Sequence, residues 1–305
     1  MKRHLFLILM LMVGLGLMAL YLFWQNPGPY IIWQVRVPRL ILTLVSGMSL
    51  AAIGSVYQLM LGNPLAEPYI LGVSSGSAFG SILFASLGMI ILMPLGGFIG
   101  AIITMLLVWR LAQKRGSFDP QRLIIAGVIV GMFFSSAISL MMYLNRQDTV
   151  LILGTLMGNL GRIFSYTEYR VFLALSSLVI GLLGWIYLKS RALDILSSSD
   201  LYAASVGIEV ERLRRQLFFA SSLIVGIVVS YAGIIGFVGL ITPHIMRLMG
   251  YKNQKQIFPM GAIFGASFLL VADFFAKNLS GIELPVGVIT AAIGCPFFIY
   301  LLLRK

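Results

Sequence analysis

Apolar residues run along this chain in long blocks, separated by short polar punctuation. A helical crossing of a membrane needs roughly 20 apolar residues. On that measure the blocks predict spans near 5–23, 40–60, 69–88, 91–111, 122–143, 170–188, 258–276 and 284–303. A further apolar stretch between Gln216 and Met246 is 31 residues long. A straight helix of that length measures about 46 Å, against a hydrocarbon core of about 30 Å. Its flanks are both basic, "ERLRR" at 211–215 and "RLMGYKNQK" at 247–255, which puts both ends in the cytoplasm. Two shortened helices, broken around Gly233 and Gly236, meet both constraints. The fold class predicted is all-α: a polytopic membrane protein of about ten transmembrane helices, with both termini cytoplasmic and residues 1–305 forming a single domain.

Composition agrees, since 59% of the 305 residues are hydrophobic and 10% are charged, where a soluble domain carries about 25% charged residues. Charge placement tests the orientation. On this topology sixteen of the 22 Lys and Arg residues fall inside, and only Arg36, Arg39, Arg146, Arg162, Arg170 and Lys277 fall outside. Trp24 and Trp33 lie at outer span ends, and Trp109 and Trp185 at inner ends, where amphipathic rings settle. The net charge of +12 is thus mostly a topology signal. No interleaving of basic and aromatic residues marks a nucleic-acid surface. The opening apolar run exceeds the usual 7–15 residues of a signal peptide and no small-x-small cleavage site follows, so it reads as the first span. A single cysteine, Cys295, excludes a disulfide framework and a cysteine metal cluster.

The chemistry that the chain lacks narrows its function. It has no G-x-x-x-x-G-K-[ST] phosphate loop, so any ATP hydrolysis belongs to another chain. An autonomous ion-coupled carrier, the alternative reading, would bury ionisable groups within its spans, and these spans are almost free of charge. Asp273 is the main exception, and Lys277 four residues later predicts a local ion pair with it. With only His4 and His244 available, no nucleophile has a base beside it, and His244 reads as structural.

Three connecting segments carry more than linker chemistry. In "GNPLAEP" at 62–68, two prolines prevent continuous helix and leave Asn63 and Leu65 on irregular backbone. The segment 144–169 contains an apolar patch too short to span, which predicts a helix at the outer surface. In the segment 189–216, serines 197–199 offer helix N-caps, Asp200 follows in the first turn, Gly207 supplies a stop, and "EVERLRR" can form a second short helix. Two short helices joined at a glycine form a docking surface on the cytoplasmic face.

Four motifs in order identify a resemblance: "VRVPRLILTLVSGMSLAAIGSVYQLMLGNPLAEPYILGVSSGSAFG" at 35–80, "AASVGIEVERLRR" at 203–215, "GIIGFVGLITPHIMRLMG" at 233–250 and "ADFFAKNLSGIELPVGVITAAIGCPFFIYLLLRK" at 272–305. Over nearly its whole length the chain resembles the permease subunits of type II ABC importers. That FecCD-like family moves ferric siderophores, haem and vitamin B12 across the bacterial inner membrane. The resemblance implies a multi-pass permease in the cytoplasmic membrane, paired with a second permease copy as a homodimer and surrounded by lipid. It also implies two ATPase subunits and a periplasmic or lipid-anchored substrate-binding protein. No cofactor or metal is expected on this chain itself; ATP and Mg belong to the partner ATPase.

Residue roles follow from the same resemblance. Arg36 and Arg39 of R-x-P-R, with Lys277, are implied to contact carboxylates of the binding protein at the outer face. Such pairs add little affinity each but steer encounter. Lys277 stands where the family usually has arginine, and it offers a point charge in place of a bidentate fork. Asn63 and Leu65 are implied to form the cytoplasmic gate. Ala204, Gly207, Glu209, Glu211, Arg212, Arg214 and Arg215 are implied to couple to the ATPase. On the fifth span, Gly131, Ser135, Ser136 and Ser139 allow close helix packing or a weakly polar pathway wall.

Overall fold

The computed structural model describes residues 2–114, 117–144, 149–279 and 282–303. Arg115, Arg146, Arg304 and Lys305, which entered the charge count, lie outside the described residues.

The described chain is helical apart from one small ribbon. In order it forms α1 (Lys2–Phe23), α2 (Pro29–Ile31), a π-turn (Ile32–Arg36), α3 (Val37–Met60), α4 (Val73–Ser86), a 3₁₀ turn (Ile90–Leu92) and α5 (Met93–Ala112). A two-residue antiparallel ribbon, β1 (Gln113–Lys114) and β2 (Ser117–Phe118), joins α5 to α6 (Pro120–Leu144). Then come α7 (Thr149–Met157), α8 (Tyr166–Leu188), α9 (Ser190–Leu196), α10 (Asp200–Ser205), α11 (Val210–Ala232), α12 (Val238–Leu248), α13 (Gln254–Asn278) and α14 (Val286–Leu303). Among the described residues, six helical stretches are long and apolar enough to cross a membrane: Pro29–Met60, Ile90–Ala112, Pro120–Leu144, Tyr166–Leu188, Val210–Ala232 and Gln254–Asn278. Met12–Phe23, Val73–Ser86 and Val286–Leu301 are shorter and also apolar. The protein is a multi-pass membrane protein.

Helix ends follow local chemistry. Pro38 sits in the first turn of α3, where its missing N–H leaves no bond unmade. The helical backbone just before it widens into the π-turn that carries Arg36. Two readings need correction. The 69–88 span is shorter than expected, because Pro64, Pro68 and Gly72 (φ +72°) hold 61–72 out of helix until Val73. The apolar stretch between Gln216 and Met246 does break at 233–237, with Gly233 at φ +71°, but unequally. "EVERLRR" does not form a separate short helix: its residues from Val210 onward are the first turns of the 23-residue α11, and only α12, at 11 residues, is short.

The core gathers around α3, which is buried along most of its length and packs on α13, α12 and α11. A second close pair is α4 with α5. Glycines set both seams. A Cβ on Gly54 would lie 2.0 Å from the Gly239 carbonyl oxygen, and one on Gly47 would lie 2.5 Å from that of Gly265. Between α4 and α5, a Cβ on Gly80 would meet the Gly96 oxygen at 2.1 Å, and one on Gly100 would meet that of Gly76 at 2.1 Å. Small residues bring apolar helices together where water supplies no driving force between them.

Candidate functional site

The α10 end of the bundle is built by two caps and an ion pair. Ser199, in extended backbone, accepts a hydrogen bond at its Oγ from the Tyr202 N–H at 3.0 Å, and Asp200 follows in the first turn. The chain leaves α10 through Gly207 at φ +86°, a conformation that favours glycine. Both Asp200 carboxylate oxygens accept from Arg214, at 2.6 and 2.8 Å, which locks α10 to the start of α11. Beside this junction opens a cleft of about 720 Å³, lined by Trp109, Ala204, Glu209, Glu211, Arg212 and Arg215 among others. Arg212 faces Glu209 at 3.4 Å. On α10 and the turn after it, Leu201 is 86% exposed, with Tyr202 and Val206 also exposed. Six of the seven residues assigned to coupling thus gather around one cleft and its supporting ion pair. Gly207 lines an adjoining hollow with Lys189 and Gln216.

The 62–72 segment is irregular as expected, but it is anchored. Asn63 Oδ1 accepts the Leu65 N–H at 2.9 Å, closing a tight turn, and Leu65 is 58% exposed. Glu67 Oε1 accepts the N–H of Phe237, a residue at φ +70° that caps α12, and the Tyr69 hydroxyl accepts the Ile235 N–H at 2.9 Å. Partial burial pushes the Glu67 carboxyl up, while the Phe237 N–H acts the other way. Neither Glu67 nor Tyr69 stands out in the sequence as a site residue. A lone acid between two prolines was the available signal.

At the opposite end the arginines behave differently from exposed docking charges. Arg36 is buried, its Nη1 donating to the carbonyls of Tyr21, Leu22 and Trp24 at 3.2, 2.8 and 2.8 Å. Arg39 is buried too. It donates from Nε and Nη2 to Asp273 at 3.0 and 2.8 Å, and from Nη1 to Glu283 at 2.8 Å. Tyr21 adds a hydroxyl bond to Asp273 at 2.5 Å, so this cluster joins α1, α3, α13 and the turn before α14. The predicted Asp273–Lys277 ion pair is therefore corrected: Asp273 points inward to Arg39. Lys277 is half-buried in a small hollow with Trp24, Arg36 and Asn278.

On α6, Ser135, Ser136 and Ser139 are exposed, and Gly131 is partly so. Ser136 and Ser139 return their hydroxyls to the carbonyls of Met132 and Ser135, at 2.9 and 3.0 Å. Their neighbours Met132, Phe133 and Tyr143 are 65%, 68% and 72% exposed, a long uncovered apolar face. His244 stands edge-on to Phe297 and Phe298, with ring centroids 6.1 and 6.0 Å away.

Comparison with known proteins supports one family. The FecCD transport family profile matches residues 4–304. The chain is 37% identical over 288 residues to the vitamin B12 import system permease protein BtuC of Escherichia coli O127:H6, covering 92% of this chain and 86% of that protein. The BtuC protein of Klebsiella pneumoniae subsp. pneumoniae is 35% identical over 295 residues, with 92% and 87% covered. Among solved structures, a metal-chelate type ABC transporter in an inward-facing conformation superposes with a TM-score of 0.88 at 29% identity, over 98% of this chain and 99% of that one. PsaBC from Streptococcus pneumoniae, at 21% identity and a TM-score of 0.60 over 87% and 89% of the two chains, shares the fold. From its first helix to its last, this chain belongs to the FecCD transport family and is the permease of an ABC importer.

Proposed function

We propose that this permease carries a bulky metal chelate inward across the cytoplasmic membrane of a bacterium, with a corrinoid such as cobalamin first and ferric siderophore or haem next. The names of its relatives support that order. It works as a homodimer of ten-span subunits with both termini inside, and the uncovered α6 face around Ser135, Ser136 and Ser139 lines the pathway between the copies. A mainly apolar wall dotted with serine hydroxyls suits such a cargo, because strongly charged groups would retain it. Each copy binds one ATPase subunit, which holds ATP and Mg; this chain holds no cofactor. Asn63 and Leu65 form the cytoplasmic gate.

The observation that carries the reading is the cleft of about 720 Å³ beside α10. It combines partly exposed apolar side chains, Trp109, Ile208 and Val210, with charges of both signs, the mix found at protein-binding surfaces. A membrane lipid would use only the cations, whereas Glu209 and Glu211 repel phosphate. A substrate-binding protein docks at the far end over Lys277, Arg36 and Arg39. There Arg39 already holds the half-exposed Glu283, so an acidic partner must exchange with that carboxylate. Co-expression with a candidate ATPase, capture through a tag on this chain and ATP-driven uptake of radiolabelled cobalamin into proteoliposomes test the proposal. Uptake that is independent of ATP, and driven by an ion gradient, would overturn it.

A further inference from the structure

The break at 233–237 ties together three segments that are far apart in sequence. The Ile234 N–H donates to the Thr155 carbonyl at 3.1 Å, and the Asn159 N–H donates to the Ala232 carbonyl at 2.9 Å, so the break is stitched to the end of α7 by backbone on both sides. The Gly158 carbonyl in turn accepts the Val286 N–H at the head of α14, at 3.0 Å. Toward the 62–72 segment the stitching is different in kind. There the acceptors are side chains, Glu67 for the Phe237 N–H and the Tyr69 hydroxyl for the Ile235 N–H. The backbone joints hold the break in register with α7 and α14, and these two side-chain hydrogen bonds tie the 62–72 segment to it.

The position of this joint gives it consequence. α11 starts at the docking junction, where Arg214 holds Asp200, and runs unbroken to Ala232. A helix of 23 residues is a strut of about 34 Å. Displacement of its first turn therefore arrives at 233–237. An orphaned N–H at the head of α12 would be costly away from water, so the 62–72 segment is drawn along through Glu67 and Tyr69. Phe237 itself has no side-chain cap, which leaves Glu67 as the acceptor that closes this end.

We propose that Glu67 is a positioning residue for transport: together with Tyr69 it fastens the segment carrying Asn63 and Leu65 to the α11–α12 break, and so transmits movement of α11 to that segment. The inference rests on the gate reading of that segment given above.

The test uses the full permease in complex with its ATPase, with Leu65→Cys placed in a Cys295→Ser background, since Cys295 is exposed. The readout is the rate of alkylation by a membrane-impermeant maleimide, compared between the nucleotide-free and the vanadate-trapped complex. In this parent the two rates should differ by about tenfold, which corresponds to about 1.4 kcal/mol in accessibility between the two states. Adding Glu67→Ala should bring the ratio close to unity although ATP is still hydrolysed, and Tyr69→Phe should lower it. Glu67→Gln, whose amide oxygen still accepts, should keep the parent's ratio. If Glu67→Ala fails to fold, Tyr69→Phe and Glu67→Gln carry the comparison. A Glu67→Ala or Tyr69→Phe chain that switches like its parent refutes this inference alone. A parent that shows no change refutes the gate reading, and the inference with it.

Discussion

Replacing Arg39 by methionine should destabilise the permease severely, and the structure sets the scale. Asp273 is 1% exposed and receives two N–H groups from Arg39 at 3.0 and 2.8 Å. Without them its carboxylate keeps only the Tyr21 hydroxyl. Removing one partner of a buried ion pair costs about 3–5 kcal/mol, because the other charge stays behind uncompensated. Loss of the Glu283 contact adds little, about 0–1 kcal/mol, since that carboxylate is half-exposed. A second variant separates charge from packing. Replacing both members of a buried pair by apolar residues is often neutral or stabilising, so Arg39→Met combined with Asp273→Leu should recover most of the loss. Unfolding in mixed micelles, titrated with SDS and followed by tryptophan fluorescence, supplies the measurement, and Trp24 stacked edge-on against Phe274 at 5.4 Å provides a reporter beside the cluster. A single variant within about 1 kcal/mol of the parent, well under the expected cost, would refute the reasoning. So would a double variant no more stable than the single one.

Other consequences are simpler to state. Lys277→Glu should slow association of the binding protein and weaken its dependence on salt, with little change in expression; stopped-flow binding at two ionic strengths reads this directly. Charge reversal at Arg39 would be a poor substitute, because it sets a third carboxylate beside Asp273 and Glu283. Gly54→Ala forces a methyl to within 2.0 Å of the Gly239 oxygen and should cost about 1–3 kcal/mol or more in the same unfolding assay. Gly207→Val meets no neighbour within 4 Å but must hold φ +86°, a strain of roughly 1–2 kcal/mol. The complex should assemble and hydrolyse ATP, while substrate moved per ATP falls.

What was legible in the sequence was whatever repeats locally. Apolar length placed α5, α6 and α13 within a few residues, and two basic flanks forced a break where Gly233 and Phe237 take positive φ. Ser199 and Gly207 bound α10 as their chemistry requires. The partners of charged groups were not legible. A rule that pairs residues three or four apart assigns Asp273 to Lys277, yet its partner Arg39 lies 234 positions earlier. Glu67 and Phe237 are 170 apart, and nothing in "PLAEP" says which donor the acid receives. Burial of the R-x-P-R arginines is equally invisible, since it depends on α1 and α13 closing over them.

The glycine seams have a mechanical meaning. Where one peptide oxygen fills the place that a methyl would need, as at Gly80 against Gly96 and Gly47 against Gly265, neither helix can slide past the other without lifting off. α4 with α5, and α3 with α13, therefore behave as welded plates. Whatever reshaping a passing cargo demands must fall on the hinges between such plates, and adding a methyl at a weld would spring the plate apart before it freed any hinge.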